Sequence, residues 1–351
     1  MLFVNQLWGV RREQDFTCIP PDGEVFTHNY SYPPAFSCNS ANIRQMSQRE
    51  REKTKKRQIH IWCDRNGAAH SKYIPVPVSK YPQSFTDDSS RECLMRYIEQ
   101  HCRDEYPVPN VIHFIWFGNH TLDFRQFLSL YSVVTITKAR LIIIHGDPLT
   151  PGKFWDALFP HALNLVHVLR AAPMYVQGRR VEKRGNQADI ARIQILQEYG
   201  GVYLDTDESL LRPVDIFRAV GFAVSVEGNG SRLANGVMFA RPDHEIAKIW
   251  LKNYESYDGK NWLSHSIIYL STLAKQYPDL LQVIGSAFLT FNYRNTEKLY
   301  LQECQMGDVF GQHFFRRDYP ANVDLNYVKT APTTFGRLAR YILFNDAKLC
   351  T

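Results

Sequence analysis

Residues 186–207 read NQADIARIQILQEYGGVYLDTD, and the change of period inside this stretch decides the fold. Ala188, Ala191, Ile195 and Tyr199 recur at spacings of three and four, with Ile193 and Leu196 beside them, so a helix here has one broad apolar face that packs against something. Asn186 is placed to cap its start. Gly200 and Gly201 supply backbone that can turn left-handed at its end without a Cβ clash. From Val202 the period falls to two, with Val202, Leu204 and Thr206 on one side and Tyr203, Asp205 and Asp207 on the other. Carboxylates one residue apart on an extended edge lie roughly 6–7 Å apart and face the same way, near enough to share one hydrated divalent ion. Hard oxygen donors suit Mg²⁺ or Mn²⁺, which keep positions open for water and substrate phosphates, so a nucleotide diphosphate is the natural third party. Asp189 and Arg192, three apart on the polar helix face, are placed to reach hydroxyls of the molecule that the metal holds.

An isolated Asp-x-Asp is most often a solvated turn. The surrounding pattern is more restrictive: A-D-I-x-R-x-x-x-L-x-x-x-G-G-x-Y-x-D-x-D, Ala188 through Asp207, with every fixed position present. It resembles the donor-site signature of the Asp-x-Asp sugar-binding glycosyltransferases. These include glycosyltransferase family 32, with the yeast initiating mannosyltransferases and animal α-1,4-galactosyl- and N-acetylglucosaminyltransferases, and more distantly the clostridial glucosylating toxins.

The resemblance implies an α/β fold of the GT-A type, a nucleotide-sugar-binding Rossmann-like sandwich. A single catalytic domain at 106–345 would follow an irregular stem or accessory region at 1–105. Also implied are Mn²⁺ (or Mg²⁺), a nucleotide-sugar donor tilted toward UDP, a glycan or glycoconjugate acceptor, and retention of anomeric configuration. Asp205, Asp207 and Asp189 are carried over as the catalytic carboxylates, with Asp207 on the metal and Asp205 on the metal or the ribose. Asp189 and Arg192 would hold sugar hydroxyls, and Tyr203 the ribose. Trp116, near the end of VIHFIWFG (111–118), matches the aromatic residue that stacks on the base, a core tryptophan being the alternative. Asn235, in an Asn-Gly-x-Met-x-Ala pattern with Gly236, Met238 and Ala240, lines the sugar or acceptor pocket or marks a hairpin turn. His313, in GQHFFRR (311–317), is the expected third metal contact, or else a core or surface histidine.

Periodicity gives a compatible architecture. Strands at 111–118, 140–145 and 163–169 alternate with helices at 122–131 and 152–158, which predicts a parallel sheet covered on both faces. Such sheets bind ligands at the carboxyl ends of their strands, where Asp205 and Asp207 fall. A helix is expected at 91–102 with Leu94, Tyr97 and Ile98 inward, a strand at 222–227, and helices at 244–254 and 262–277. The basic stretch 174–184 reads as a loop, with phosphate contact as the alternative.

A chain of 351 residues, 44% hydrophobic, can bury a core for one large domain with appendages, or for two domains. Its formal charge of +6 suits an anionic substrate such as a nucleotide sugar. Seven cysteines (18, 38, 63, 93, 102, 304 and 350) contain no Cys-x-x-Cys pair, which excludes zinc-ribbon and thioredoxin spacings, and the odd count leaves at least one thiol free or paired with another chain. Sequons at Asn29, Asn119 and Asn229 are compatible with a secretory-pathway or Golgi lumen. The apolar start at 1–16 is interrupted by Asn5 and Gln6 and is too short to span a bilayer, so a Golgi anchor is missing or the chain truncated, or the location is another one. The charged run 49–57 reads as a solvated face, with a phosphate or membrane-surface contact as the alternative. No nucleic-acid partner is expected. Two further classes stay open: an inactive sugar- or nucleotide-binding protein of the same fold, and an aspartyl-phosphate phosphatase with Asp205 as nucleophile. The phosphatase would also need a Gly-Asp-x-x-x-Asp loop downstream, which the sequence lacks.

Overall fold

The computed structural model describes residues 36–40, 57–75, 82–226, 232–261, 263–285, 287–306 and 309–350. The apolar start, Cys18, the sequons at Asn29 and Asn229, and the charged run except Arg57 lie outside these residues.

A hairpin of β1 (Arg57–Cys63) and β2 (Ala69–Pro75) stands apart from the main sheet. The strands that follow are β3 (Ser84–Phe85), β4 (Val111–Trp116), β5 (Leu141–Gly146) and β6 (Leu165–Leu169). A small hairpin, β7 (Tyr175–Val176) and β8 (Arg179–Arg180), precedes β9 (Gly201–Leu204) and β10 (Glu208–Leu210). Then come β11 (Phe222–Val226), β12 (Leu233–Ala240), β13 (Gln282–Val283) and β14 (Gly311–His313). Eight of these form one sheet in the order β13-β11-β12-β9-β4-β5-β6-β3. Only β12 runs against the others, being antiparallel to both its neighbours. The chain steps outward from β4 to β5 and β6, then returns to place β9 on the other side of β4. That reversal opens a crevice at the carboxyl ends of β4 and β9.

Both faces of the sheet are covered, as the continuous apolar runs of β4 and β5 require. Ile112, Phe114 and Trp116 enter one core, and Val111 and Ile115 the other, following the alternation of a strand. Helices α1 (Asp88–His101), α2 (Phe124–Ile136), α3 (Lys153–Leu158) and α4 (Arg184–Tyr199) precede β9. The first core packs against α2 and the second against α1 and α4. Past the sheet's last antiparallel pair come α5 (Glu245–Asn253), α6 (Tyr269–Gln276), α7 (Glu297–Tyr300), α8 (Leu325–Thr330) and α9 (Thr334–Phe344).

The expected α/β class is found, with local corrections. Residues 84–101, read as accessory, supply the edge strand β3 and the packed helix α1, whose Leu94 and Ile98 are buried. Helix α4 starts at Arg184, so Asn186 does not cap it; Asn186 lies buried in the first turn, its Oδ1 accepting from the Tyr257 hydroxyl at 3.1 Å. The basic stretch 174–184 is not a plain loop, because Gln177 and Gly178, at φ 46° and 73°, form the turn between β7 and β8. The helix expected at 262–277 is irregular: a π-wound segment, Ser264–Ile268, precedes α6 and holds the non-helical Ser266 (φ −99°, ψ −109°) within it. Cys63–Cys93 ties β1 to α1, Cys38–Cys350 ties the start of the described chain to its end, and Cys102 is the free, buried thiol.

Candidate active site

Strand β9 stops at Leu204, one residue before the first carboxylate, because Asp205–Glu208 close a turn through the Glu208 N–H to Asp205 O bond (2.9 Å). The two aspartates therefore do not share one strand face as alternation predicted. The Asp205 carboxylate meets α4 in one layer, whereas that of Asp207 meets α2 in the opposite layer.

Asp205 is held on several sides. Its N–H donates to Gly236 O (2.8 Å), and its Oδ1 accepts from the Tyr203 hydroxyl (2.7 Å) and lies 3.1 Å from the Arg192 guanidinium. Arg192 also donates to Asn235 O (2.8 Å), lies 3.5 Å from Asp189 and covers the Tyr203 ring at 4.8 Å. Burial opposes its charge, but the Asp205 and Asp189 carboxylates outweigh burial and hold it as a cation. Asn235 completes the ring of contacts by donating from Nδ2 to Asp189 Oδ1 (2.9 Å). It is not in a hairpin turn. It sits in β12 where pairing with β11 jumps from Met238↔Val224 to Ala234↔Ser225, and this bulge turns residues 235–237 toward Asp205.

Asp207 binds two protein groups, the His313 Nε2 at 2.7 Å and the Arg125 Nη1 at 3.1 Å. His313 arrives from 106 residues away because β14 pairs antiparallel with β10, which puts it opposite Glu208. Burial opposes ionisation of both partners, yet their mutual attraction prevails: the Asp207 carboxyl is held below the usual carboxylate range, and the His313 imidazole is raised by Asp207. Arg125 also donates to Phe314 O (2.6 Å) and to Asp123 (2.9 Å), the residue that caps α2.

A cleft of about 180 Å³ brings together Asp189, Arg192, Asp205, Asn235 and His313. Asp207 is beside it rather than in its wall, and Tyr203 lies beneath Arg192. Trp116 is not brought there. Its indole is buried in the first core, 4.1 Å from the exposed His120 ring, with its N–H unpartnered.

Two residues were not anticipated. Arg125 is the lone charge in the apolar helix α2, a signal in itself, but its partner is 82 residues away. Glu208 lines the cleft, is buried, and has one oxygen without a hydrogen bond. Burial first, and then the Asp205 and Asp207 charges, push its carboxyl well above the ordinary range. Carboxylates and one imidazole match Mn²⁺ or Mg²⁺ in donor chemistry, and the orphaned Glu208 oxygen marks a place where a cation would be welcome. The residues fit a cation in kind, although no group of three or more His, Cys, Asp or Glu converges on one point among the described residues.

Residues 84–221 match the family described as "Glycosyltransferase sugar-binding region containing DXD motif". Glucan organizing enzyme 1 of Cryptococcus neoformans var. grubii is 26% identical over 195 residues, 51% of this chain and 52% of that protein, so the chain spans about half the length of this curated relative. Among solved structures, apo mouse xyloside xylosyltransferase 1 is 12% identical with a TM-score of 0.40, over 60% of this chain and 98% of that one. The glycosyltransferase GlyE of Streptococcus pneumoniae is 13% identical with a TM-score of 0.39, over 61% of this chain and 57% of that one.

Proposed function

We propose, from the premise that residues 84–221 are a glycosyltransferase sugar-binding region containing a DXD motif, that this protein moves a hexose or N-acetylhexosamine from a UDP-sugar to a glycan, glycolipid or glycoprotein, with retention. The observation that carries the reading is the single cleft at the exit of β9, where α4, β12 and β14 bring Asp189, Asn235 and His313 to Asp205. In the reaction the anomeric carbon–oxygen bond to the diphosphate breaks and its electron pair leaves with the diphosphate. The acceptor oxygen bonds to that carbon and its proton passes to the departing diphosphate oxygen.

Asp205, Asp207 and His313 would hold Mn²⁺ or Mg²⁺, which when bound offsets the charge building on the diphosphate. Arg192 and Tyr203 position Asp205 through their contacts with its Oδ1, so we assign them to the carboxylate rather than to sugar or ribose. The hydrogen-bonded pair Asp189 and Asn235 is assigned to sugar hydroxyls, which it would orient for attack. The base is assigned to the exit of β4, against the His120 ring that overlies Trp116. We take the catalytic unit as 84–345, since β3 and α1 belong to its sheet and core. Disulfides Cys38–Cys350 and Cys63–Cys93 support a secretory-pathway lumen. No helix of the described residues is long and apolar enough to cross a membrane.

A second reading, donor binding without turnover, is favoured by the pairing of Asp207 with His313 and Arg125, which already occupy its oxygens. The test is a panel of UDP- and GDP-sugars with Mn²⁺ or chelator, using the intact chain and Asp205→Asn/Asp207→Asn. Metal-dependent release of nucleotide from one donor, reduced at least about 100-fold in the double variant, is expected. Tight binding with no release under any condition would replace the transferase by the second reading. If folded protein bound no donor, both would fall.

A further inference from the structure

The cleft at Asp205 has a neighbour. A second cavity, about 320 Å³, shares Leu263 and Ile267 with it as a common wall. The backbone of this wall is the π-wound segment Ser264–Ile268, and its departure from helical geometry at Ser266 divides consecutive side chains between the two spaces. Ser266 lines the Asp205 cleft, Ile267 lines both, and Ile268 lines the second cavity alone. Irregular winding of this kind costs backbone energy and recurs where function requires it.

The two spaces differ in charge. Around the first, Arg192 is already matched by Asp205 and Asp189, and Glu208 adds a further carboxyl. The charged residues lining the second are Arg232 and Lys275, both exposed, and neither makes an ion pair or side-chain hydrogen bond among the described residues. Two unmatched cations beside the apolar surface of Leu263, Ile267 and Ile268 attract an anion more strongly than they would in open water. The Arg fork also matches the paired oxygens of a carboxylate or phosphate. Ser271 and Thr272 donate their hydroxyl protons to Ile267 O (3.0 Å) and Ile268 O (3.4 Å), which leaves lone pairs that can accept from sugar hydroxyls.

We propose that this second cavity is the acceptor subsite and that it selects an anionic saccharide, one carrying a carboxylate or phosphate, whose reactive hydroxyl reaches past Leu263 and Ile267 into the Asp205 cleft. The inference rests on the transferase reading for its role. The donor diphosphate is assigned to the side of Asp205 and Asp207, neither of which lines the second cavity, so an anion held there belongs to the other substrate.

The experiment uses the intact chain with saturating UDP and Mn²⁺ to fill the donor side, and measures binding of methyl glucoside, methyl glucuronide and glucose 6-phosphate. Both anionic sugars are expected to bind at least about tenfold more tightly than the neutral one, with the advantage shrinking as salt rises. Arg232→Ala/Lys275→Ala should abolish that advantage while UDP-sugar hydrolysis without acceptor stays unchanged. Equal binding of charged and neutral sugars, or an anionic preference that survives the double variant, would overturn the proposal. Loss of the preference in the double variant of a protein that hydrolyses no donor would keep the anion subsite and remove the transferase reading instead.

Discussion

Gly236 has no room for a side chain. A β-carbon there would come within 2.9 Å of Asp205 Oδ2, and the Gly236 carbonyl already accepts the Asp205 N–H. Because Arg192 and Tyr203 hold the other oxygen, Oδ1, the carboxylate cannot retreat without straining one of those contacts. Gly236→Ala is therefore expected to lower donor turnover by about 10²-fold, the penalty typical of a misplaced group near the reacting atoms, while leaving the thermal midpoint within a few degrees of the parent. Full turnover in a folded Gly236→Ala protein would show that the position of Asp205 does not matter. The Asp pair, Asp189 and Arg192 are legible from spacing, Asn235 and His313 only through the family resemblance, and all lie in or beside one cleft. Arg125 and Glu208 are not, since what distinguishes Arg125 is a partner 82 residues away and what distinguishes Glu208 is its burial.

The passage from α4 into β9 is written locally, and the structure obeys it. Gly200 and Gly201 both take positive φ, 65° and 97°. At Gly201 a β-carbon would stand 2.6 Å from Val111 O and 2.8 Å from His113 Nε2, so the strand can pass this close to β4 only without a side chain. Gly201→Ala should cost about 1–3 kcal/mol of unfolding free energy from backbone strain alone. The urea midpoint reads this directly, and a midpoint equal to the parent's would mean that the turn relaxes freely. The long runs of β4 and β5 were equally readable. By contrast, β3, β10, β13 and β14 have only two or three residues each, too few to show any period. Their pairings are set by distant partners, which is why His313 is a candidate in the sequence but its strand, β14, is not.

Across the whole sheet, buried imidazoles make the fold sensitive to acid. His113 Nε2 donates to Gly200 O (2.8 Å), so its Nδ1 must accept, and it does so from His145 Nε2 at 2.9 Å. The remaining His145 nitrogen is a buried acceptor without a partner. Both rings are thus neutral in the folded protein, and nothing nearby welcomes a second proton. Burial lowers His113 to about 3 and His145 well below its ordinary value, and it lowers His244 to about 4. Unfolded, the same rings titrate near 6.5. The folded values being lower, the unfolded chain binds more protons once the pH drops below about 6.5, so the stability these groups contribute is complete above that pH and is lost progressively toward pH 3. Each histidine that charges only on unfolding contributes a slope of about 1.4 kcal/mol per pH unit within the window. Thermal midpoints are expected to fall steadily from about pH 6.5 to 4, with a shallower fall in His113→Gln, whose amide can keep the bond to Gly200 without titrating. A midpoint that did not change between pH 7 and 4 would mean that the pair is charged or solvated in the native state, and the core between β4 and β5 would have to open to water to allow it.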